Sequence, residues 1–535
     1  MTARWLLLLL LALSASAAPA QPAEADGEQR CSHLTQAVLP DTTIVSAEIV
    51  PAGSFTLPNS RPGEKLPPAG KDLPAFCRVA AKAAPSPDSD ISIEVWMPLS
   101  GWNGRFKGAG NGGFAGSINY PALSTAIRQG YAAASTDTGH AETGASWALG
   151  HPEKVIDYGY RGIHEMTVVA KSLLQAFYGQ APQRAYFAGC SNGGREALME
   201  AERFPADYDG ILAGAPANAW VPMLTAGLKL LQSMDDANYI PPEKIDTLDK
   251  AVLRACDAKD GVADGVLNDP RQCHFDPASL LCKGANSPAC FTEPQVTLLK
   301  SIYAGARDAH GRLIFPGDMP GGETGRNGWV TWITGPEEGK SLGNFFVTGF
   351  FSDMVFANAK WNYKTANLGQ GLAAANKTTG HALNALDPDL KPFMERGGKL
   401  ILYHGWNDPA ISPLNSVGYY ESVVSTLGAP AAEKFVRLYM APGMQHCAGG
   451  PGANVFGQGD GDPKSDAGHD IFAALQQWVE KGPAPSSIIA TKYVEDDPAK
   501  GVQMTRPLCP YPEAAKYLGT GDSASAASFA CSPAK

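Results

Sequence analysis

Residues 184–205, RAYFAGCSNGGREALMEAERFP, decide the fold. The segment begins with a short apolar run typical of a buried strand, passes through a glycine-rich turn, and continues with helical spacing to Pro205. The turn fits the pattern G-x-S-x-G with Ser191 at its centre, and between a strand and a helix this pattern is typical of a nucleophile elbow. A purely structural turn is the alternative interpretation.

Strands and helices alternate on both sides of this segment. The pattern predicts strands at 91–99, 399–405 and 435–440 and a helix at 164–179. Further strands are predicted in the segments RFKGAG, YAAAST and YDGILAG. Alternating strands and helices predict an α/β fold with a mostly parallel sheet that helices cover on both faces.

The alternation stops after residue 216 and resumes at residue 397. We therefore predict a catalytic domain formed by 21–216 and 397–535, interrupted by an inserted lid domain at 217–396. Insertions of this kind lie over the carboxyl ends of the strands, where ligands bind. Residues 21–30 are predicted to form a flexible leader.

The amino terminus has the three parts of a secretory signal peptide, which we place at residues 1–20. A short basic start precedes a run of apolar residues and then a segment of small residues. The apolar run is too short for a membrane anchor. A net charge of −10 and the absence of any block of lysine and arginine argue against nucleic-acid binding. We expect a secreted or periplasmic protein.

A serine nucleophile needs a base and a carboxylate that orients the base. In this architecture the chain order is serine, then acid, then histidine, with both partners in loops after late strands. Asp408 and His446 meet that requirement, so Ser191, Asp408 and His446 form the predicted triad. His404 lies inside a predicted strand, where we expect it to pack or form hydrogen bonds. The other histidines lack the required order or context: His33, His140, His151, His164, His274, His310, His381 and His469.

The tetrahedral intermediate of such a reaction needs two hydrogen-bond donors for its oxyanion. The backbone N–H of Asn192 is the first candidate, because it directly follows the nucleophile. The second is expected in the glycine-rich segment GAGNGGFAG, from Gly112 or Gly113. A phosphate-binding loop is excluded there because the G-K-[S/T] ending is missing.

Ten cysteines, an even number without a C-x-x-C pair, favour disulfides in an exported protein. Short separations favour the local pairs Cys256–Cys273, Cys282–Cys290 and Cys509–Cys531, although sequence alone does not fix the connectivity. Ser191 and His446 must share a proton at about 3 Å, which also brings their neighbours Cys190 and Cys447 together. We therefore predict a bridge between these two.

The segment CDAKDGVADGVLND, residues 256–269, contains Asp257, Asp260 and Asp264 among glycines. Closely spaced carboxylates and carbonyls suit a hard cation such as Ca²⁺. The spacing differs from that of an EF-hand, and a solvated acidic turn is the alternative. A bound Ca²⁺ would have a structural role.

The motifs GCSNGG, HGWNDPAISP and GMQHCAGGPG resemble those of the tannase/feruloyl esterase family of α/β-hydrolases, over nearly the whole mature chain. The resemblance implies the same triad, the Cys190–Cys447 bridge and the three local pairs, and adds the pair Cys31–Cys77. It also implies a Ca²⁺ site in the lid, formed by Asp257, Asp260, Asp264 and the carbonyls of Val262 and Val266.

The resemblance further implies a serine esterase for small aromatic esters of the feruloyl or hydroxycinnamoyl type, free or attached to plant polysaccharide or polyphenol. A tannase and a terephthalate-monoester hydrolase remain alternatives within the family. A serine peptidase and a binding protein with an inactive site are alternatives of other classes. The aromatic segments GWVTWITG and NFFVTGFFSDMVF could stack on a phenolic ring or form the core of the lid.

Overall fold

The computed structural model describes residues 23–57, 70–459 and 466–533. The predicted signal peptide at 1–20 lies outside the described residues. The strands are β1 (Thr42–Val50), β2 (Phe76–Ala83), β3 (Ile91–Pro98), β4 (Arg105–Ala109), β5 (Ala132–Thr136), β6 (Arg184–Cys190), β7 (Gly210–Gly214), β8 (Ala306–Arg307), β9 (Leu313–Phe315), β10 (Lys399–Gly405), β11 (Val436–Ala441), β12 (Ile488–Tyr493), β13 (Val502–Leu508), β14 (Glu513–Tyr517) and β15 (Phe529–Pro533).

The α-helices range from single turns to the 17-residue helix that precedes β6. They are α1 (Ala23–His33), α2 (Tyr120–Arg128), α3 (Pro152–Ile156), α4 (Gly162–Tyr178), α5 (Asn192–Arg203), α6 (Trp220–Ser233), α7 (Pro242–Cys256), α8 (Glu293–Ala304), α9 (Leu342–Gly349), α10 (Leu368–Ala375), α11 (His381–Leu383), α12 (Lys391–Glu395), α13 (Pro413–Leu427), α14 (Ala429–Ala432) and α15 (Ile471–Lys481). Among the described residues, no helix combines the length and the apolar character that crossing a membrane requires.

Nine strands of the described chain form one sheet in the order β1-β2-β3-β5-β4-β6-β7-β10-β11. The six strands from β5 to β11 run parallel, whereas β1, β2 and β3 pair antiparallel at one edge. The α/β fold with a mostly parallel sheet is therefore confirmed. The sequence analysis did not predict β1 and β2, which lie at the antiparallel edge.

Helices cover both faces of the sheet. Residues of α4, α5 and α13, such as Leu173, Leu198 and Val423, pack against one face. Residues of α2 and α15, such as Leu123 and Leu475, pack against the other. The carboxyl ends of the six parallel strands lie together at one end of the sheet, where the loops that follow them can assemble a site.

The predicted leader is wrong, because α1 spans most of it and continues to His33. A disulfide joins Cys31 to Cys77 at the edge of the sheet, and Leu34 is buried in the core. The Arg30 guanidinium lies 5.5 Å from the centre of the Phe177 ring. These contacts hold the helix against the catalytic domain.

Helices α6 to α12 and the short strands β8 and β9 lie between β7 and β10, within the segment assigned to the lid. One lid core forms around Leu248, Leu299 and Trp329. A second core joins lid residues such as Phe350 to Phe114 of the catalytic domain. The insertion therefore packs directly on the loop that follows β4.

Candidate active site

The turn between β6 and α5 has the geometry of a nucleophile elbow. Ser191 has φ 65° and ψ −120°, a conformation that residues with side chains rarely adopt and that marks a strained turn. A Cβ on Gly189 would lie 2.6 Å from backbone atoms of Gly193. Glycine is therefore required at position 189, because the strand and the helix approach each other too closely for a side chain. The Ser191 N–H donates to the Gly214 carbonyl at 3.0 Å, which attaches the turn to β7.

The structure brings the three predicted triad residues together. His446 Nε2 lies 2.9 Å from Ser191 Oγ, and His446 Nδ1 lies 2.7 Å from Asp408 Oδ2. Asp408 follows β10 and His446 follows β11, so the parallel strands deliver both to the same edge of the sheet. Asp408 is 1% exposed and His446 is 8% exposed. This arrangement allows proton transfer from the serine hydroxyl to the imidazole.

Asp408 is held as an ionised carboxylate. Burial opposes its ionisation, but His446 and His404 hold the pKa of Asp408 well below its usual range. Its Oδ1 also accepts the N–H groups of Ala410 at 2.8 Å and Ile411 at 3.0 Å. Because an ionised carboxylate only accepts hydrogen bonds, we assign the Nδ1 proton of His446 to the bond with Asp408.

His404 forms hydrogen bonds inside the strand end, as predicted, but one of its partners was not foreseen. Its Nε2 lies 3.1 Å from Asp408 Oδ2 and 3.0 Å from the Ile411 carbonyl. Its Nδ1 lies 2.7 Å from Ser416 Oγ. The ring is fully buried. The signal in the sequence is its position four residues before Asp408, at the end of β10.

All ten cysteines are paired, in the five pairs given by the sequence analysis. The bridge between Cys190 and Cys447 joins the residue before Ser191 to the residue after His446, with the Cα atoms 6.1 Å apart. It closes a chain separation of 257 residues. The other four pairs are Cys31–Cys77, Cys256–Cys273, Cys282–Cys290 and Cys509–Cys531.

The oxyanion candidates differ in their positions. Gly113 and Asn192 line the same cavity as Ser191. Gly112 is exposed, and a Cβ there would contact nothing within 4 Å. Of the two glycines proposed as the second donor, Gly113 is thus the better placed.

Glu196 accepts hydrogen bonds from Asn192 and from Asn111, the residue before Gly112, and nothing in the sequence analysis identified this role. Its Oε2 accepts the Asn111 N–H at 2.9 Å and its Oε1 accepts the Asn192 side-chain amide at 2.8 Å. Burial raises the pKa of Glu196 to about 7. The signal in the sequence is its position five residues after Ser191, in the helix that begins at Asn192.

Arg195 and Tyr158 complete this support. The Tyr158 hydroxyl donates to the Gly113 carbonyl at 2.9 Å. The fully buried Arg195 donates to the Tyr158 carbonyl at 2.9 Å and to Asn192 Oδ1. Hydrogen bonds from Glu196, Tyr158 and Arg195 therefore hold Asn111, Gly113 and Asn192 in place, which favours a preorganised site.

A cavity of about 390 Å³ opens onto Ser191 and His446. Its walls come mainly from the lid and are mostly apolar, with Leu224, Ile333 and Val347 among them. This volume lies in the range typical of small-molecule sites. The serine therefore faces a space large enough for one aromatic ring and its substituents.

The aromatic residues of the segments GWVTWITG and NFFVTGFFSDMVF fall into two groups. Some line the cavity and others form the core of the lid. Trp332 and Phe346 line the cavity, and Trp332 packs edge-on against the His446 ring at a centroid distance of 4.9 Å. Trp329, Phe350 and Phe351 are buried in the lid cores. The indole N–H of Trp332 is buried without a hydrogen-bond partner.

Asp318 also lines the cavity, and it has no counterpart in the sequence analysis. Burial and the charges of Asp408 and Glu323 raise the pKa of Asp318 well above its usual range. A neutral carboxylic acid both donates and accepts hydrogen bonds. Asp318 therefore places a polar group in the wall of a mostly apolar cavity.

The acidic loop of the lid folds around its own backbone. Asp257 accepts the Gly265 N–H at 3.1 Å, and Asp260 accepts the N–H groups of Val262 at 3.1 Å and Asn268 at 3.0 Å. Asp264 Oδ1 accepts the Val266 N–H at 3.1 Å.

The balance of negative and positive side chains around this loop indicates whether it can bind a cation. Burial, together with the charges of Asp264 and Asp257, raises the pKa of Asp260 to about 6. Arg506 pairs with Asp264 on one side. Three crowded carboxylates with one arginine leave an excess of negative charge, so the residues fit a hard cation that would replace some of the backbone donors.

The fold and the site together are those of an α/β-hydrolase. Comparison with known proteins assigns the chain within that class: the family described as tannase and feruloyl esterase matches residues 77–532, and the chain belongs to it. An uncharacterized esterase of Xanthomonas campestris pv. campestris is 42% identical, with 95% of this chain and 92% of that protein covered. A probable feruloyl esterase B of Aspergillus clavatus is 33% identical, with coverages of 92% and 94%. The protein is a carboxylic ester hydrolase.

Solved structures agree with this assignment. Feruloyl esterase B from Aspergillus oryzae superposes with a TM-score of 0.86 at 28% identity, covering 95% of this chain and 100% of that one. The tannin acyl hydrolase of Aspergillus niger shares the fold, with a TM-score of 0.74 at 24% identity over 95% of this chain and 94% of that one.

Proposed function

We propose that the protein is a secreted serine esterase that hydrolyses small aromatic esters of the feruloyl or hydroxycinnamoyl type through an acyl-enzyme. The observation that carries this proposal is the contact of Ser191, His446 and Asp408 at the floor of a cavity lined by Trp332 and Phe346.

In the first half of the reaction, Ser191 Oγ attacks the ester carbonyl carbon while its proton passes to His446 Nε2. Asp408 stabilises the imidazolium that forms. The N–H groups of Asn192 and Gly113 stabilise the negative oxygen of the tetrahedral intermediate. The intermediate collapses when the C–O bond to the alcohol breaks, and His446 gives its proton to the leaving oxygen.

In the second half, water attacks the acyl carbon and gives a proton to His446 Nε2. Collapse of the second intermediate returns that proton to Ser191 Oγ and releases the carboxylic acid. His404 takes no proton in this scheme. It donates to Asp408 and keeps the carboxylate directed at His446.

The cavity supports an aromatic acyl group. Trp332 and Phe346 offer ring faces and edges, and apolar lid residues surround them. The carboxyl of Asp318, whose pKa is raised by burial, supplies a polar contact for a phenolic hydroxyl. The names of the Aspergillus relatives, feruloyl esterase B, agree with this substrate class. A galloyl or terephthalate monoester is the alternative substrate.

A substrate panel tests the proposal. Methyl ferulate, methyl 4-hydroxycinnamate, methyl gallate, mono(2-hydroxyethyl) terephthalate and an aliphatic methyl ester are compared by kcat/KM. We expect the two hydroxycinnamates to be the best substrates and the aliphatic ester to be the poorest. A clear preference for gallate or for the terephthalate monoester would assign the protein to the alternative specificity, and a preference for the aliphatic ester would refute the aromatic site.

The acidic loop adds a structural Ca²⁺ site to the proposal, with ligands from Asp257, Asp260, Asp264 and the carbonyls of Val262 and Val266. The raised pKa of Asp260 and the excess of negative charge support it. Removal of Ca²⁺ with a chelator is expected to lower the Tm of the wild-type protein but not that of Asp260→Asn. Equal Tm values with and without chelator would contradict it.

A further inference from the structure

A second group of possible ligands lies where α4 packs beside α5, the helix that follows the nucleophile. His164 of α4, Glu200 of α5 and Asp207 of the following loop each offer one ligand atom to this group. These three atoms all lie within 4.8 Å of one another. The His164 Nδ1 to Asp207 Oδ2 distance is 2.7 Å.

Glu200 is the residue that needs an explanation. It is fully buried, and both of its carboxylate oxygens are without a hydrogen-bond donor. A buried carboxylate without a partner is costly. The nearby cation Lys171 is directed at Asp207 instead, where it donates to the carbonyl and lies 3.9 Å from Oδ1.

The geometry points to a divalent transition-metal site formed by His164, Glu200 and Asp207. One imidazole nitrogen with two carboxylate oxygens favours ions such as Zn²⁺ or Co²⁺ over Ca²⁺ and Mg²⁺, which prefer oxygen alone. The His164 ring is held by stacking on Phe204, at a centroid distance of 3.8 Å. The side chain of His164 is 29% exposed, so water can supply a further ligand.

The ion would be structural. Glu200 lies nine residues after Ser191, about 13 Å along the helix axis. Bound metal would join α4, α5 and the loop before β7, and so fix the carboxyl end of the helix whose amino end follows the serine. This inference is independent of the substrate proposed above.

The rival explanation is a proton shared between Glu200 and Asp207. Burial and the charge of Asp207 raise the pKa of Glu200 well above its usual range, which also permits a neutral Glu200 in the metal-free protein. A metal would displace that proton and bind both carboxylates. The two explanations therefore make different predictions. If the site binds metal, Zn²⁺ displaces the shared proton; if it does not, Glu200 stays protonated in the presence of Zn²⁺.

The test uses the mature protein, stripped with a chelator and then kept in excess Ca²⁺ so that the acidic loop of the lid is saturated. ZnCl₂ is titrated by calorimetry, Tm is followed, and Co²⁺ is added separately to read its visible absorption. We expect about one Zn²⁺ per chain, a rise in Tm of about 2 °C or more, and Co²⁺ absorption bands typical of bound nitrogen and oxygen ligands.

Variants locate the binding. Glu200→Gln and His164→Gln should lose the zinc and the rise in Tm while they keep ester hydrolysis. His151→Gln is the matched control, because His151 and Asp88 form an exposed pair with the same 2.7 Å contact. It should retain both effects, as should Asp260→Asn in the lid loop.

Two results would overturn the inference. The first is a wild-type protein that takes up no Zn²⁺ and shows no Co²⁺ absorption, a result that requires no variant. The second is an infrared band of a neutral carboxylic acid, absent in Glu200→Gln, that persists in excess Zn²⁺. Either result would leave the shared proton as the explanation.

Discussion

His404 Nε2 lies 3.1 Å from Asp408 Oδ2, the same carboxylate oxygen that contacts His446 Nδ1. A second histidine thus donates to the buried acid from inside β10. The bond directs the carboxylate, because both of its oxygens are then occupied by fixed donors.

Replacing His404 tests this positioning role. We expect His404→Leu to lower kcat by about 10–100-fold with little change in KM, because a hydrogen bond to a charged group contributes about 1.5–3 kcal/mol. His404→Gln, which keeps a donor, should recover part of the loss. Steady-state kinetics on methyl ferulate across pH measures both, and equal rates for Leu and Gln would contradict a role through the hydrogen bond.

Removing the bridge next to the triad is expected to cost both stability and activity. The pair Cys190→Ala and Cys447→Ala should lower the free energy of unfolding by about 2–5 kcal/mol, because the bridge closes a very long loop. It should also lower kcat, since the two catalytic loops lose their connection. The control replaces Cys282 and Cys290, which are eight residues apart in the lid. A control that loses as much activity would argue against a specific role of the Cys190–Cys447 bridge.

Glu196 is expected to matter for kcat rather than for binding. In Glu196→Gln, one accepting oxygen becomes an amide donor that faces the Asn111 N–H or the Asn192 amide. We expect kcat to fall by about 10-fold, because the loop that carries the oxyanion donors shifts. Glu202→Gln on the same helix is the control, since Glu202 contacts Tyr419 at 3.1 Å instead. Equal losses in both variants would indicate a general effect on α5.

Stability is expected to fall as pH rises from about 5 to about 8. Burial raises the pKa of Glu196 to about 7, that of Glu202 to about 8 and that of Asp137 to about 6. The folded chain therefore binds more protons than the unfolded chain in this window, and the free energy of unfolding decreases with pH. His140, whose pKa burial lowers to about 4, opposes this trend between about pH 4 and 6.5, but it is one group against several carboxyls. Asp408, whose pKa is lowered, acts in the opposite direction only below about pH 4.

Thermal unfolding at a series of pH values measures this trend. Glu202→Gln removes one of the contributing groups and should flatten the curve at its upper end, because an amide does not titrate. A wild-type Tm that rises between pH 5 and pH 8 would contradict the assignment of these carboxyls as neutral in the folded protein.

The parallel part of the sheet and the triad could be predicted from sequence because each triad residue directly follows a recognisable apolar strand. The three residues also occur in the chain order serine, acid, histidine that this fold requires. The strands that end at Cys190, Gly405 and Ala441 are short apolar runs followed by polar loops, and each delivers one triad residue. The strand at 399–405 was predicted with its exact bounds.

What the sequence did not indicate depends on contacts between distant segments. Glu196 acquires its role from Asn111, which is 85 residues away, and Asp318 acquires its place from the packing of the lid. The strand β1 was missed because its side chains are only partly buried at the edge of the sheet. The division of the lid aromatics into cavity and core likewise follows from packing that periodicity does not encode.

The most direct test of the central claim is the kcat/KM of Ser191→Ala for methyl ferulate. Ser301→Ala is the matched control, because Ser301 lines the same cavity and its hydroxyl donates to the Leu298 carbonyl. We expect Ser191→Ala to lose at least about 10⁴-fold in kcat/KM and Ser301→Ala to stay within about threefold of wild type. Turnover by Ser191→Ala within tenfold of wild type, in a protein of unchanged Tm, would contradict it.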